Sequence, residues 1–533
     1  MSGILYIHSL LTTRIVIADN LGLFSSLSPT FWVATALTIL SLLSVNYYPR
    51  WKKLEFIILS FYALMLYLTP IIIGGSKMSP LFPNNSWGFE TMVNSISQKG
   101  FVDPSLSFHF NWPGVWFLVT ELFQVIGLKG SFTYSVVILA QFWLVIEVPL
   151  FYLIFRNLFH NMKHLVGPAT IVSITVSWML PAVIGNHALA FVLFLLFFSV
   201  FLRGDSGDRK TTILLLIIIS TIVFTHFVTS LVLLSILAAM IFLRKKGAGF
   251  LFLVCLMLLT VWTIYVTASF FQREFSDVIF NAFRLENMTP FINEGTSRGS
   301  QMHHLAVYSR LLLPAIFGII SLSSIFLFKK FNRQTDKIVL VIAGAIGIVL
   351  VGVGASYGLE LLHRVILLEL IPIGYFAAKF FMRKSTRIIL IVVLILTVPF
   401  FVIARNGNLP AEYVSEQAIM GSNFLENAPT AVLLSPTNQE FFDGLYVPTW
   451  KDQRFILSSF SKLFWANDKL VYNSSMPADR PLLTYVNNNL KLSFQSLSDD
   501  PNVLTQYQTY LNESCNVDVI YSNDDMIWYL ILP

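Results

Sequence analysis

A loop of polar and aromatic residues at positions 79–116 is where this sequence could do chemistry. The loop lies between two long apolar segments and holds His109 and Asn111 directly before Trp112 and Pro113. An imidazole and a carboxamide can hydrogen-bond the hydroxyls of a sugar or the oxygens of a phosphate. We therefore expect a substrate to bind at this loop. A purely structural turn before Pro113 is the alternative interpretation.

Three arginines near the ends of apolar segments are candidate ligands for a phosphate. Arg298 and Arg310 flank one loop, and Arg364 stands at the start of a later apolar segment. A guanidinium offers a planar fork of donors that suits phosphate oxygens. The alternative for Arg364 is a side chain that reaches out to the membrane interface. Between the first two arginines, His303 and His304 are adjacent in sequence, which is poor spacing for a metal site.

His226 separates two short apolar segments and is a further candidate for the site. Polar groups at membrane depth usually face a cavity or another part of the protein, since lipid cannot satisfy them. A histidine that ends one helix and hydrogen-bonds locally is the alternative.

The composition of the chain around these residues indicates a membrane protein. Hydrophobic residues make up 55% of the chain and charged residues 12%, and the mean hydropathy is +0.70. A bilayer core about 30 Å thick needs roughly 20 apolar residues per helical span. This rule predicts spans at 30–48, 54–74, 131–155, 165–182, 187–202, 211–225, 228–243, 250–271, 306–328, 338–353, 365–382 and 387–404. Residues 3–18 form either a thirteenth span or an amphipathic surface helix.

Clusters of Lys and Arg fall at every second connection between the predicted spans. Such clusters favour the cytoplasmic side of a membrane. The pattern therefore predicts a multi-pass protein of the cell membrane. Its loops at 75–112 and 272–305, its turn at 354–364 and its tail from residue 405 should lie outside.

Two further helices should lie on the outer membrane surface. Residues 113–128 are apolar, but counting them as a span would reverse the pattern of basic clusters. Pro113 suits the first turn of a helix, and Trp112 and Trp116 suit the depth of the interface. The second predicted surface helix covers residues 86–98 and ends at Gly100.

The composition changes at residue 405, which divides the chain into two predicted domains. Residues 1–404 form an all-α polytopic membrane domain of 12–13 transmembrane helices. Residues 405–533 form an extracytoplasmic α/β domain, because helical patterns at 412–426 and 503–512 alternate with strand patterns at 431–435, 517–521 and 527–532.

Several classes of function are excluded or disfavoured. The tail from residue 405 carries seven Lys/Arg and fourteen Asp/Glu, whereas the membrane part carries 28 and 15. The basic charge therefore anchors membrane loops and does not indicate a nucleic-acid partner. No nucleotide-binding loop, CxxC, HExxH or GxSxG pattern is present, and two cysteines cannot form a disulfide scaffold.

The surface helices of the first outer loop, the many spans and the outer tail domain together resemble the GT-C glycosyltransferases. The oligosaccharyltransferase-like and mannosyltransferase-like enzymes belong to this superfamily. The residues that carry the resemblance are the run at 85–100, ended by Gly100, and the HFNWPG turn at 109–114. The resemblance implies sugar transfer from a polyprenyl-phosphate donor in the bilayer to a glycan, lipid or protein acceptor. Arg364 would then stabilise the leaving phosphate.

The family's usual acidic residue falls at Asn85 in this chain. An amide can neither act as a general base nor supply the charge that a divalent metal favours. Glu90 is the nearest carboxylate and the candidate base. At a second position where some family members have an acid, this chain has Asn186 and His187. The resemblance leaves a divalent cation open as the cofactor, but Asn85 weakens that expectation.

Three functions remain open at this point. The first is a GT-C-like glycosyltransferase acting at the outer face, with a tail domain that helps to bind the acceptor. The second is a transporter or flippase for a lipid or a polyanion, against which the large tail domain and the lack of repeated halves argue. The third is a catalytically silent relative that binds a glycolipid, which Asn85 supports best.

Overall fold

The computed structural model describes most of the membrane part and the strands of the tail. It covers residues 1–13, 21, 23–45, 52–74, 93, 96–97, 99–102, 108–127, 132–178, 185–203, 208–270, 301–328, 334–357, 366–407, 431–435, 455–459, 463–466, 469–472, 482–487, 508–509, 512–513, 517–522 and 526–531.

Helices dominate the membrane part. The α-helices are α1 (Ser2–Thr12), α2 (Leu23–Ser26), α3 (Pro29–Val45), α4 (Lys52–Gly74), α5 (Gly114–Ile126), α6 (Phe132–Leu158), α7 (Val166–Val176), α8 (Asn186–Phe201), α9 (Arg209–Thr225), α10 (Phe227–Phe242), α11 (Ala248–Tyr265), α12 (Ala268–Phe270), α13 (Gln301–Leu327), α14 (Gln334–Tyr357), α15 (Leu370–Ala378) and α16 (Lys384–Asn406). Short 3₁₀ turns occupy Phe108–Asn111, Lys163–Leu165 and Lys379–Met382.

Each of the twelve apolar segments predicted as spans overlaps a helix. Four helical stretches of the described chain are both long and apolar enough to cross a membrane, at Lys53–Pro70, Ala248–Tyr265, His304–Leu327 and Lys384–Asn406. The chain is a multi-pass membrane protein. In the segment at 3–18, helix α1 ends at Thr12, and residues 14–20 lie outside the described part.

Two predicted spans differ from the observed helices. The helix expected at 165–182 ends at Val176. The one expected at 365–382 is helical at 366–368, turns at Glu369, is a regular α-helix from Leu370 to Ala378 and ends in the 3₁₀ turn Lys379–Met382. Every residue of α7 is buried inside the protein. Neighbouring helices, not lipid, surround α7, so its length need not match the bilayer.

Helices α7 and α15 pack at backbone distance because Gly374 has no side chain. A β-carbon at Gly374 would lie 2.9 Å from the carbonyl oxygen of Ala169 and 2.7 Å from the ring of Phe155. The Ser173 hydroxyl donates to the Leu370 carbonyl across the same contact, at 3.0 Å. Small residues that let backbones approach are typical of helix contacts in membranes.

A buried ion pair ties the start of α14 to the end of α15. The Lys379 ammonium lies 2.6 Å from a carboxylate oxygen of Asp336, and the Tyr375 hydroxyl donates to the same oxygen at 2.6 Å. Because the three groups satisfy one another, the low-dielectric interior can hold these charges.

The strands of the tail form two sheets. Strands β1 (Ala431–Ser435), β2 (Phe455–Ser459), β5 (Leu482–Asn487), β6 (Val517–Ser522) and β7 (Met526–Ile531) make a mixed sheet in the order β2-β1-β5-β7-β6. Strand β1 is parallel to β2 and β5, whereas β7 is antiparallel to β5 and β6. Strands β3 (Leu463–Ala466) and β4 (Lys469–Tyr472) form an antiparallel pair.

Strands β1, β6 and β7 coincide with the three strands that the sequence predicts. The helix predicted at 412–426 and most of the one at 503–512 lie outside the described residues. The α/β character of the tail and its outer location therefore stay predictions.

Candidate functional site

The predicted surface helix at 86–98 ends next to the candidate site. Gly100 has a φ of +72°, a left-handed backbone conformation that glycine adopts without strain, and its amide donates to the Ile96 carbonyl at 2.8 Å. This confirms that a helix ends at Gly100. Val93 and Ile96 pack with Phe110 and Trp116 in one buried cluster.

The turn that follows presents Asn111 and Trp112 to helices α10 and α11. The indole N–H of Trp262 donates to the Asn111 carbonyl oxygen at 3.1 Å. The ring centroid of Trp112 lies 5.8 Å from that of Phe227 and 5.2 Å from that of Phe270. These contacts hold the turn against the start of α10, the end of α11 and the short helix α12.

Helix α5 begins directly after this turn and is confirmed as a helix. A β-carbon at Gly114 would lie 3.2 Å from the Cα of Thr225, so only glycine lets α5 approach the end of α9 this closely. Trp112 and Trp116 are 7% and 0% exposed, buried in the protein. The apolar face of α5 packs on α8 and α9, and the depth of both tryptophans in the membrane stays a prediction.

His226 caps helix α10. Its Nδ1 atom accepts the backbone N–H of Thr229 at 3.3 Å and lies 2.8 Å from the Thr229 hydroxyl. Because Nδ1 accepts, the ring proton belongs on Nε2. The local cap that the sequence left as an alternative is thus present, and it leaves Nε2 as a donor that the cap does not use.

His187 lies beside His226, with the ring centroids 6.4 Å apart. It sits in the first turn of α8, and its ring packs so closely on Gly185 that a β-carbon there would lie 3.0 Å from Cε1. Gly114 and Trp112 meet the chain neighbours of His226, which are Thr225 and Phe227. The structure therefore brings Asn111, His187 and His226 to one end of the helix bundle.

An apolar groove of about 290 Å³ adjoins this end of the bundle. Trp262, the residue that holds the Asn111 turn, lies in its wall with Phe224, Tyr265 and Val261. Phe224 and Trp262 are in edge-to-face contact, with their ring centroids 4.4 Å apart. The groove lies between α9 and α11, and an apolar chain would fit there.

The structure describes only some of the remaining predicted site residues. Arg310 is described: its Nε donates to the Ala404 carbonyl at 2.9 Å, and its guanidinium lies 5.6 Å from the ring centroid of Trp178. The backbone of His109 lies in the 3₁₀ turn, but its side chain is outside the described part. Four predicted site residues lie entirely outside it, namely Asn85, Glu90, Arg298 and Arg364.

A buried charged cluster next to Arg310 was missed from the sequence. Glu147 in α6 is fully buried, and it interacts with Arg405 and Ser177 at the ends of α16 and α7. Neither Glu147 oxygen has a hydrogen bond of good geometry to a described residue. Arg405 lies over Tyr67, with its guanidinium carbon 5.1 Å from the ring centroid. The missed signal was an acid inside an apolar span, since such residues are costly in lipid and usually functional.

No group of three or more His, Cys, Asp or Glu side chains suited to a metal ion occurs among the residues that the structure describes. The divalent cation expected from the family resemblance therefore has no candidate ligand set in this part of the chain.

Known protein structures share the fold of this chain, but no known protein family or curated protein is related to it in sequence at a detectable level. No protein-family model matches the chain, and no curated protein matches it. The crystal structure of ArnT from Cupriavidus metallidurans bound to undecaprenyl phosphate is similar, with a TM-score of 0.50 at 11% identity, over 89% of this chain and 98% of that one. Apo ArnT gives a TM-score of 0.46 at 11% identity, over 89% and 97% of the two chains.

The oligosaccharyltransferase of Archaeoglobus fulgidus, crystallised with Zn and sulfate, gives a TM-score of 0.46 at 13% identity, over 73% of this chain and 60% of that one. At such low identities a likeness shows the fold alone. The similarity to ArnT extends over nearly the whole of both chains, so it describes the complete architecture and not one shared helix pair. The chain therefore has a fold similar to that of ArnT.

Proposed function

We propose that this chain is a membrane glycosyltransferase that transfers a sugar from a polyprenyl-phosphate donor to an acceptor at the outer face of the membrane. The observation that carries the proposal is the convergence of Asn111, His187 and His226 beside an apolar groove. A lipid-linked donor has the matching chemistry, with a polar sugar phosphate joined to an apolar chain. The fold agrees, since ArnT was crystallised with undecaprenyl phosphate.

Hydrogen-bond donors of the site support a sugar or phosphate ligand. The indole N–H of Trp112 is buried and meets no acceptor among the described residues. A buried donor without an acceptor costs about 1–3 kcal/mol, which an oxygen-rich ligand could offset. Nε2 of His226 is a second donor at the same end of the bundle.

The two chemical steps fall to residues of the outer loops. Glu90 removes the proton of the acceptor hydroxyl, and Arg364 stabilises the phosphate that leaves with the lipid. The tail domain at 405–533 helps to bind the acceptor, which is a glycan, a lipid or a protein. A divalent cation is not required by this scheme.

Transfer assays on the purified chain with lipid-linked sugar donors test the proposal. Glu90→Gln keeps the shape of the side chain but cannot accept a proton, so transfer should fall by roughly 10²–10⁴-fold. Glu121→Gln is the matched control, because Glu121 is an exposed acid on the neighbouring helix α5. Full activity of Glu90→Gln would remove Glu90 from the role of base.

Arg364→Lys tests the phosphate contact separately. Lysine keeps the charge but loses the planar fork, so donor binding should weaken by about 1–3 kcal/mol. Binding of a polyprenyl-phosphate sugar to the purified chain measures this, with Arg209→Lys at the other end of the bundle as the control. Unchanged affinity of the Lys variant would exclude Arg364 from the site.

A catalytically silent glycolipid-binding protein is the second candidate, and the amide at Asn85 favours it. In that case the wild type transfers nothing from any lipid-linked donor, although it binds one. Asn85→Asp should then restore measurable transfer. Robust transfer by the wild type would rule this candidate out.

A further inference from the structure

A second cavity lies at the opposite end of the helix bundle from His187 and His226. It has a volume of about 930 Å³ and opens between α6, α8 and α9. Its polar wall includes Arg156 near the end of α6, Arg203 just after α8, Asp208 just before α9 and Lys246 just before α11. The proposed transfer reaction uses none of these residues.

The charges at the mouth of this cavity favour an anion. Arg156, Arg203 and Lys246 are exposed cations, and Asp208 is the one carboxylate that faces them in the described lining. The Asp208 carboxylate already caps α9, accepting from the amide of Thr211 at 3.2 Å and from its hydroxyl at 3.3 Å. No ion pair of Arg156 or Arg203 occurs among the described residues.

The rest of the wall is apolar and continues onto the exposed surface of α6 and α9. Leu196 and Val200 of α8 line the cavity between the outer leucines, Leu153 and Leu214. Those two leucines are both 43% exposed. The Asn157 side chain donates to the Ser199 carbonyl at 3.0 Å, so it is occupied within the protein. A ligand here would meet cations at one end and leucines at the other.

We propose that this cavity binds one anionic glycerophospholipid. Its phosphate lies between Arg156, Arg203 and Lys246, and its acyl chains run along Leu153 and Leu214 into the bilayer. Basic pockets between helices at one membrane face hold anionic head groups in this way. General attraction of basic loops to an acidic membrane would give many weak contacts, whereas a cavity of this size binds one lipid and saturates.

Binding of fluorescent phosphatidylglycerol to the detergent-solubilised full-length chain tests the proposal, with fluorescent phosphatidylcholine for comparison. The wild type should bind one phosphatidylglycerol per chain in preference to phosphatidylcholine. The double variant Arg156→Gln/Arg203→Gln should bind it about 10- to 30-fold more weakly, since each basic residue near an anionic head group contributes a factor of roughly five. The control is Arg209→Gln/Lys210→Gln, two exposed cations that start α9 outside the cavity lining.

Leu153→Trp fills the lipid-facing side of the cavity without changing its charge and should also weaken binding. Equal losses in the cavity and control double variants would overturn the proposal, because they would show attraction to the whole basic face. So would an absence of preference for phosphatidylglycerol in the wild type. Free glycerol 3-phosphate is added as a competitor of the fluorescent lipid. Displacement of the lipid with an affinity equal to that of the lipid itself would assign the cavity to a soluble phosphate instead.

Discussion

The two nitrogen atoms of the His226 imidazole are not equivalent in the structure. Nδ1 begins helix α10 by accepting the amide of Thr229, and this contact fixes the ring proton on Nε2. His187 lies beside the same ring. One side chain could therefore both cap the helix and bind a substrate. The sequence analysis treated these two roles as alternatives.

Two substitutions at His226 should separate these tasks. Asparagine can still cap the helix, whereas alanine cannot, so His226→Ala should lower the free energy of unfolding by about 0.5–2 kcal/mol more than His226→Asn. Thermal unfolding in detergent measures this difference. If Nε2 also binds the donor, both variants should lose transfer activity or donor affinity. An asparagine variant that matches the wild type in both respects would leave His226 with the cap alone.

The burial of Glu147 shows how the interior tolerates a carboxylate. Arg405 comes from the far end of the membrane domain in sequence, yet its side chain reaches Glu147 and lies over Tyr67. A buried charge is held only when another charge or polar groups compensate it. Arg405 therefore links α16 electrostatically to Glu147 of α6 and to Tyr67 of α4. The residue at which the tail begins is thus also part of the buried interior.

At the scale of elements, Gly374 decides how two short helices pack. The backbone of α7 approaches α15 so closely that any side chain at this position must displace Phe155 or the chain itself. This contact helps to explain why α7 can be only 11 residues long and still be stable, since it is surrounded by protein on every side.

Gly374→Ala should therefore destabilise the chain by about 1–3 kcal/mol through overpacking. Gly347→Ala in the middle of α14 is the matched control. A β-carbon there meets nothing within 4 Å, so alanine should leave stability unchanged or raise it by up to about 1 kcal/mol. The unfolding temperatures of the Gly374→Ala and Gly347→Ala variants are measured in the same detergent. Equal unfolding temperatures would contradict the close contact at Gly374.

The elements could be predicted from the sequence far better than their contacts. Twelve apolar segments gave twelve helices, because burial of backbone polar groups in lipid leaves few other choices. The lengths of α7 and α15 could not be predicted, since composition does not distinguish lipid from protein as the surroundings. The burial of Trp116 inside the protein could not be predicted for the same reason.

The candidate site stays a prediction, although the structure describes part of it. The aromatic residues and the proline of the 109–114 turn led us to expect a site there, and the structure places Asn111, His187 and His226 at the same end of the bundle. Glu147 alone carried a signal, as an acid inside an apolar span. Its pairing with Arg405 could not be predicted, because the two residues are 258 positions apart in the chain and no local pattern links residues at that separation. Helix packing alone brings them together.

For the whole molecule, the two ends of the helix bundle differ in chemistry. One end carries Asn111, His187 and His226 next to aromatic rings, whereas the other carries Arg156, Arg203 and Lys246 around a cavity. Basic residues favour the cytoplasmic side, so this asymmetry predicts that the histidine end faces out. Lipid-linked sugars and the tail domain would then share one side of the membrane.

Protease accessibility tests this orientation. The tail from residue 405 follows α16, whose first residues Lys384 and Arg387 belong to the basic end. A single crossing of α16 then places the tail at the histidine end. Protease added to right-side-out vesicles should remove the tail, leaving a membrane fragment of about 400 residues, a size set by the boundary at residue 405. In inverted vesicles the tail should be protected while the basic loops are cut. The opposite pattern would place the tail and the histidine site inside, and transfer at the outer face would then be excluded.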